Sequence, residues 1–145
     1  MQLVEISRKY PEISFTHVEW EPDCWRPYKY KSNKLQLKPD LFAITNNDGY
    51  EDRWFIEIDL KTEAMTVVVD KCKRYYQYLS SGIEQRAHDG VFPITIWIVP
   101  DQKRKETMIE VIRATFKNAP NMFAIIVAEE FEDFIRSGAD NITLY

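Results

Sequence analysis

The chain of 145 residues contains two cysteines, two histidines and four glycines, and each shortage removes a class of chemistry. Cys24 and Cys72 fall at no metal-ligand spacing and make no disulfide framework, which fits a reducing compartment. His17 and His88 have no zinc-type partners beside them, and neither stands in a pattern that would activate a serine or cysteine nucleophile. With no glycine-rich phosphate loop, the usual nucleotide-binding domains are disfavoured. No apolar run is long enough to span a bilayer, and no secretory leader is visible, so we expect a cytoplasmic protein without a membrane partner. Basic residues are outnumbered too: 19 Lys and Arg against 23 Asp and Glu leave a net charge of −4. Bulk attraction to nucleic acid is thereby excluded, although local patches remain available.

What is present in quantity is apolar and aromatic side chain, 45% and 14% of the residues, enough for one folded domain over residues 1–145. The informative stretch is Lys38-Pro39-Asp40-Leu41-Phe42-Ala43-Ile44-Thr45, a turn at Asn46-Asn47-Asp48-Gly49, and the answering run from Trp54 to Thr62. Asp48-Gly49 supplies the positive φ angles of a tight turn, so the two runs read as a β-hairpin. With a two-residue loop Asn47 pairs with Tyr50, and counting outward sets Asp40 opposite Glu57 and Lys38 opposite Asp59. A four-residue loop would instead oppose Asp40 to Phe55 and leave the acids on a diagonal of the same face. The other face, Leu41, Ala43, Trp54, Ile56, Ile58 and Leu60, is core-like. Opposed carboxylates repel unless a cation lies between them, which suits a hard ion such as Mg²⁺; the alternative is a solvated polar face with Lys38 pairing Asp59.

Just ahead of this hairpin, residues 24–38 carry Arg26, Lys29, Lys31, Lys34 and Lys38 with no acidic residue, interleaved with Trp25, Tyr28 and Tyr30. Cations for phosphates and rings for bases make this a candidate DNA contact, comprising Trp25, Arg26, Lys29, Tyr30, Lys31, Lys34 and Lys38. The competing reading is a solvated edge strand whose lysines block aggregation.

The remaining elements follow from periodicity. Residues 1–10 suggest a short helix and Ile13 to Trp20 a strand. After the hairpin, Thr62 is expected to cap a helix running to about Leu79, with Met65, Val68, Cys72, Tyr75, Tyr76 and Leu79 inward over the apolar face of the sheet. Lys71 lies beside that stripe with Arg74 and Tyr78, leaning toward the acids. Ser80 to Gly90 is a polar connection, Phe92 to Val99 a buried strand, and Asp101 caps a helix from about Lys103 to Lys117. Phe123 to Ala128, Glu129 to Ser137 and Ile142 to Tyr145 read as strand, helix and closing strand.

This order, α-β-β-β-α-β with Pro39-Asp40 entering one strand and Glu57-Ile58-Asp59 in the next, resembles the PD-(D/E)xK nuclease fold. The expected class is α/β, a restriction-endonuclease-like αβββαβ core with a mixed central sheet flanked by helices and an added C-terminal helix-strand-helix. More narrowly, Lys38-Pro39-Asp40-Leu41, Phe55 to Asp59, Thr62-Glu63, Lys71 and Tyr75 or Tyr78 are similar to the replication-relaxation family of plasmid and mobile-element proteins. The similarity covers roughly residues 38–79. It implies a role in plasmid replication, DNA relaxation or mobilisation, alongside other replication or relaxosome proteins. Family members commonly carry a winged-helix segment ahead of this domain, so the chain is expected to be a C-terminal domain or a minimal relative. The resemblance gives Asp40 and Glu57 as ligands of Mg²⁺ and calls for a lysine two residues after the glutamate. Asp59 stands there instead. Two readings result: a non-catalytic DNA-binding or assembly domain, or a Mg²⁺-dependent nuclease or nickase with Asp40, Glu57 and Asp59 as ligands and Lys71 or Lys38 supplying the charge. A weaker third is a protein-interaction domain using Trp25 and Tyr28.

Overall fold

The computed structural model describes residues 13–138 and 142–145, so the expected opening helix lies outside the described residues. In chain order the elements are β1 (Ile13–Trp20), β2 (Arg26–Tyr30), β3 (Asn33–Leu37), β4 (Leu41–Asn47), β5 (Tyr50–Ile58), α1 (Met65–Ser81), α2 (Ile83–Ala87), β6 (Ile94–Val99), α3 (Gln102–Thr115), β7 (Phe123–Val127), a 3₁₀ turn (Ala128–Glu130) and α4 (Phe131–Ser137).

The central hairpin takes the two-residue turn. Asp48 and Gly49 sit at φ +51° and +90°, and the Asn46 side chain accepts the Gly49 N–H at 3.0 Å. Asn47 pairs with Tyr50 and the ladder runs without slippage to Leu41 opposite Ile56. Around this hairpin a five-stranded sheet forms in the order β1-β4-β5-β6-β7. Its first three strands are antiparallel, and β6 and β7 are added in parallel. A parallel neighbour requires a crossover, which α1 supplies between β5 and β6. The fold is therefore a mixed α/β sheet flanked by helices. The basic segment forms its own antiparallel two-stranded ribbon, β2 with β3. No helix of the described residues is long and apolar enough to cross a membrane.

Both faces of the sheet are buried, and the helices divide them differently from the expectation. Leu41, Ala43, Trp54 and Ile56 pack with Ile96, Ala124 and Ile126 beneath Phe131 and Ile135 of the short helix α4. The long helix α1 covers the opposite face, where Val68, Cys72, Tyr75 and Tyr78 meet Phe42, Phe55, Trp97 and Phe123, joined by Met108 and Ile112 of α3. The reason lies in the alternation itself: Phe42 and Phe55 share a face with Asp40 and Glu57, and their rings pack at 5.5 Å, with Phe55 engaging Tyr75 at 5.8 Å. The charged face of the hairpin is thus half aromatic. Ile58 and Leu60, expected in the core, are 51% and 73% exposed, Ile58 at the last pair of β5 opposite Ile98 and Leu60 beyond the strand's end. In the middle of the sheet Ile96, Trp97 and Val99 are almost wholly buried, each contributing about 1.5–3 kcal/mol through lost apolar exposure.

Four details differ from the expected elements. Helix α1 starts at Met65, with Ala64 rather than Thr62 in the capping position and no side-chain cap. The preceding residues are committed elsewhere: Asp59 accepts the Lys61 N–H at 3.2 Å, and the Glu63 carbonyl accepts from Arg104 at 2.9 Å. At its other end α1 runs to Ser81 and stops at Gly82, whose φ of +71° lets its N–H reach the Leu79 carbonyl. The Ser80 to Gly90 connection contains α2. Asp101 caps α3 as expected, accepting the Arg104 N–H at 2.8 Å. Residues 142–145 form no strand, yet Tyr145 exchanges both backbone hydrogen bonds with Phe123 on the edge strand β7.

Candidate functional site

Burying the Phe42–Phe55 face carries Glu57 inward. At the end of β5 it is only 2% exposed, and the Tyr75 hydroxyl on α1 donates to its Oε1 at 2.8 Å. Asp40 stands at the mouth of β4. Its N–H donates to the Ile56 carbonyl at 3.1 Å, and its Oδ2 accepts the Ile58 N–H at 2.7 Å. The aspartate side chain thereby prolongs the ladder by one bond and holds its carboxylate beside Glu57. Burial, and after it the Asp40 charge, push the Glu57 carboxyl up from the ordinary 4.5 to about 8 despite the Tyr75 hydrogen bond and the Lys71 charge. One proton is therefore retained on Glu57 at neutral pH.

A cavity of about 240 Å³ opens over Glu57, walled by Gln36, Leu37 and Lys38 on the ribbon side and by Lys71, Arg74 and Tyr75 on α1. Lys71 reaches into the same region, and its ammonium is held by Glu63 at 2.8 Å. Hydrogen bonding to Glu63 and the charges of Glu57, Glu63 and Asp40 raise the Lys71 pKa against the opposing effect of its burial, which is the largest single influence. Lys71 is thus a firmly charged neighbour of the acids.

Asp59 is placed elsewhere. Arg104 from α3 grips it bidentately, Nε to Oδ2 at 2.7 Å and Nη2 to Oδ1 at 3.0 Å, with the aspartate side chain fully buried. Lys38 does not oppose it; the Lys38 ammonium lies 4.6 Å over the Trp25 ring. Among the described residues no group of three or more His, Cys, Asp or Glu is arranged to hold a metal ion. Two carboxylates, Asp40 and Glu57, stand beside each other, a set that suits a hard cation retaining most of its water.

The basic ribbon divides as well. Arg26 is turned inward, bonded to Glu19 at 2.8 Å and Glu84 at 3.3 Å and stacked 4.8 Å over Phe42. Tyr28 is 4% exposed and donates to Gln77 at 2.7 Å, so it offers no free ring for docking. Trp25 is half-buried under Lys38. Lys29, Lys31 and Lys34 are exposed, as is Tyr30, with Lys31 5.3 Å over its ring.

Reading the sequence alone missed Arg104 and Glu84. Arg104 carried one local signal, its place three residues after the capping Asp101, but its partner Asp59 lies in another element and no spacing announces it. Glu84 looked like part of a polar linker; it is 2% exposed, accepting from Tyr78 at 2.7 Å and from Arg26.

A family model described as replication-relaxation matches residues 1–95. No curated protein and no solved structure matches the chain.

Proposed function

The chain belongs to the replication-relaxation family, and on that footing we propose that it is a DNA-interacting domain of a plasmid or mobile-element replication or mobilisation protein, with a restriction-endonuclease-like PD-(D/E)xK core that binds without cutting. The sheet order supports the nuclease-like comparison, with Asp40 at the start of β4 and Glu57 at the end of the adjoining β5. The observation that carries the non-catalytic reading is the pairing of the charges. Asp59, where a nuclease of that fold has lysine, is neutralised by Arg104, and Lys71 is tied to Glu63. Neither position supplies a free cation beside the acids to lower the pKa of an attacking water, and Lys38, at the rim of the cavity, is engaged with the Trp25 ring at 4.6 Å.

A second reading is favoured by the Asp40–Glu57 pair itself. Two adjacent carboxylates, one of them holding a proton because of burial and of the other's charge, are what a divalent cation would relieve. Asp40 and Glu57 would hold Mg²⁺, which would supply Lewis-acid activation of a phosphodiester and of water. In that reading Glu57 gives up its proton, Tyr75 fixes the orientation of its carboxyl, and Lys71 exchanges Glu63 for the scissile phosphate.

The experiment that decides is incubation with supercoiled plasmid and Mg²⁺ or Mn²⁺, beside Asp40→Ala and Glu57→Ala, with band shifts and thermal melts on the same samples. Band shifts without nicking and without a metal-dependent rise in melting temperature match the binding domain. Nicking that both substitutions abolish replaces that reading with the enzyme, and absence of both nicking and band shift refutes a DNA role.

A further inference from the structure

The ribbon packs against α1 through Tyr28, and an opening lies on either side of that contact; the line joining the two openings is called the seam. At one end is the cavity over Glu57, with Lys38 from the ribbon side and Lys71 and Arg74 from α1 at its rim. At the other is an open groove of about 540 Å³, where Lys29 and Lys34 face Arg86 of α2 across Pro27, Leu35 and Ile83. Tyr28 lies between them, docked on Gln77 of α1. We infer that this seam is a binding track for a single strand of DNA, with Lys29, Lys34 and Arg86 holding backbone phosphates at one end and Lys38 and Arg74 at the other. This rests on the DNA-interacting reading and adds to it the form of the nucleic acid and two arginines, Arg74 and Arg86, that the basic segment does not contain.

Several independent features support the track. Lys29 and Lys34 are directly opposed in the two-stranded ladder, an arrangement that repels and that an anion lying between them relieves. Among the described residues no carboxylate pairs with Lys29, Lys34, Lys38, Arg74 or Arg86, whereas Arg26, Arg53, Lys61, Lys71, Lys73, Arg104, Lys105 and Arg136 all have acidic partners. Lys31, Lys103, Arg113 and Lys117 also lack an acidic partner among the described residues, and what sets the five apart is that they border the two openings beside one ribbon–helix contact. The ribbon turns through Lys31 and Ser32 at φ +47° and +67°, left-handed positions where glycine or asparagine is the usual choice, so the turn presents a lysine at some conformational cost. Placement of the cations selects the single strand. The cations sit in two openings on either side of the Tyr28 contact, and a flexible strand can bend to reach both, while a rigid duplex cannot follow that path.

Fluorescence anisotropy with a labelled oligothymidylate and a duplex of equal length, from 50 to 200 mM salt, tests this. The single strand is expected to bind more tightly than the duplex. Arg86→Ala, Arg74→Ala and the double change Lys29→Ala with Lys34→Ala are each expected to weaken it severalfold and to reduce the salt slope by about 0.7 per cation removed. Lys73→Ala, on the solvated side of α1, leaves binding unchanged, and a melt of each variant excludes unfolding. Unaltered affinity in the folded variants, or tighter binding to duplex, overturns the track while leaving the DNA-interacting reading standing. If the wild-type protein binds neither DNA, both fall together.

Discussion

Replacing Glu57 by glutamine isolates the cost of keeping a carboxyl under α1. The amide would keep the shape of the side chain and an oxygen for the Tyr75 hydroxyl, but could not ionise. In the wild-type protein burial and the Asp40 charge set the folded pKa at about 8, above the ordinary 4.5. An acid whose folded pKa is raised costs nothing below its unfolded value, and the folded state loses stability as pH climbs from about 4.5 toward 8. At about 1.4 kcal/mol per pH unit, that interval sets a ceiling of about 5 kcal/mol above pH 8. Local relaxation and water entry absorb part of it, and we expect a measured difference of about 2–3 kcal/mol. Urea unfolding of both proteins at pH 5 and pH 9 is the assay. Near-coincident curves at pH 5, and a midpoint about 1 M higher for Glu57→Gln at pH 9, are the expected outcome. A difference independent of pH, or a variant less stable than wild type at pH 9, would refute the account of a buried, proton-retaining Glu57.

Two further substitutions probe the supports of the site. Arg104→Ala leaves the fully buried Asp59 carboxylate without its bidentate partner and frees the Glu63 carbonyl, so chemical denaturation should show a loss of about 3–5 kcal/mol. Asp59→Asn in the same background should recover much of it by removing the stranded charge. Tyr75→Phe deletes the donor to Glu57 inside the core, with an expected cost of about 1–3 kcal/mol at neutral pH. The same change should move the Glu57 titration further upward, read by carboxyl NMR shifts, because the Tyr75 hydrogen bond opposes burial there.

How far the residues announced this arrangement differs from element to element. The hairpin's paired stretch from Leu41 to Ile56 was legible as one of two registers that Asp48-Gly49 allows, the two-residue turn, while the expected opposition of Lys38 and Asp59 beyond it fails. The place of β6 was legible because a run such as Ile94 to Val99, apolar on both faces, belongs in the middle of a sheet. The side occupied by α1 was not. Alternation sorted Asp40 and Glu57 onto a polar face, while Phe42 and Phe55 on that same face drew the aromatic stripe of α1 over it. Helical spacing likewise sets Tyr78 beside the stripe, yet it is buried, because Glu84 meets its hydroxyl from the next helix. Charge pairing was least legible of all. Asp59 chose Arg104 and Arg26 chose Glu84, partners supplied by distant segments that local spacing does not connect.

The clamp that Arg104 makes on Asp59 also bears on how the polypeptide can be divided. The family match ends at residue 95, at the second position of β6. A fragment cut there would expose the inner edge of β5, strip the sheet of β7 and separate Asp59 from its only described counter-ion. Neighbouring strand and guanidinium both arrive after that cut. The stretch that identifies the family is thus a smaller object than the unit that can fold, and Asp59 takes its counter-ion from a residue the family match does not reach.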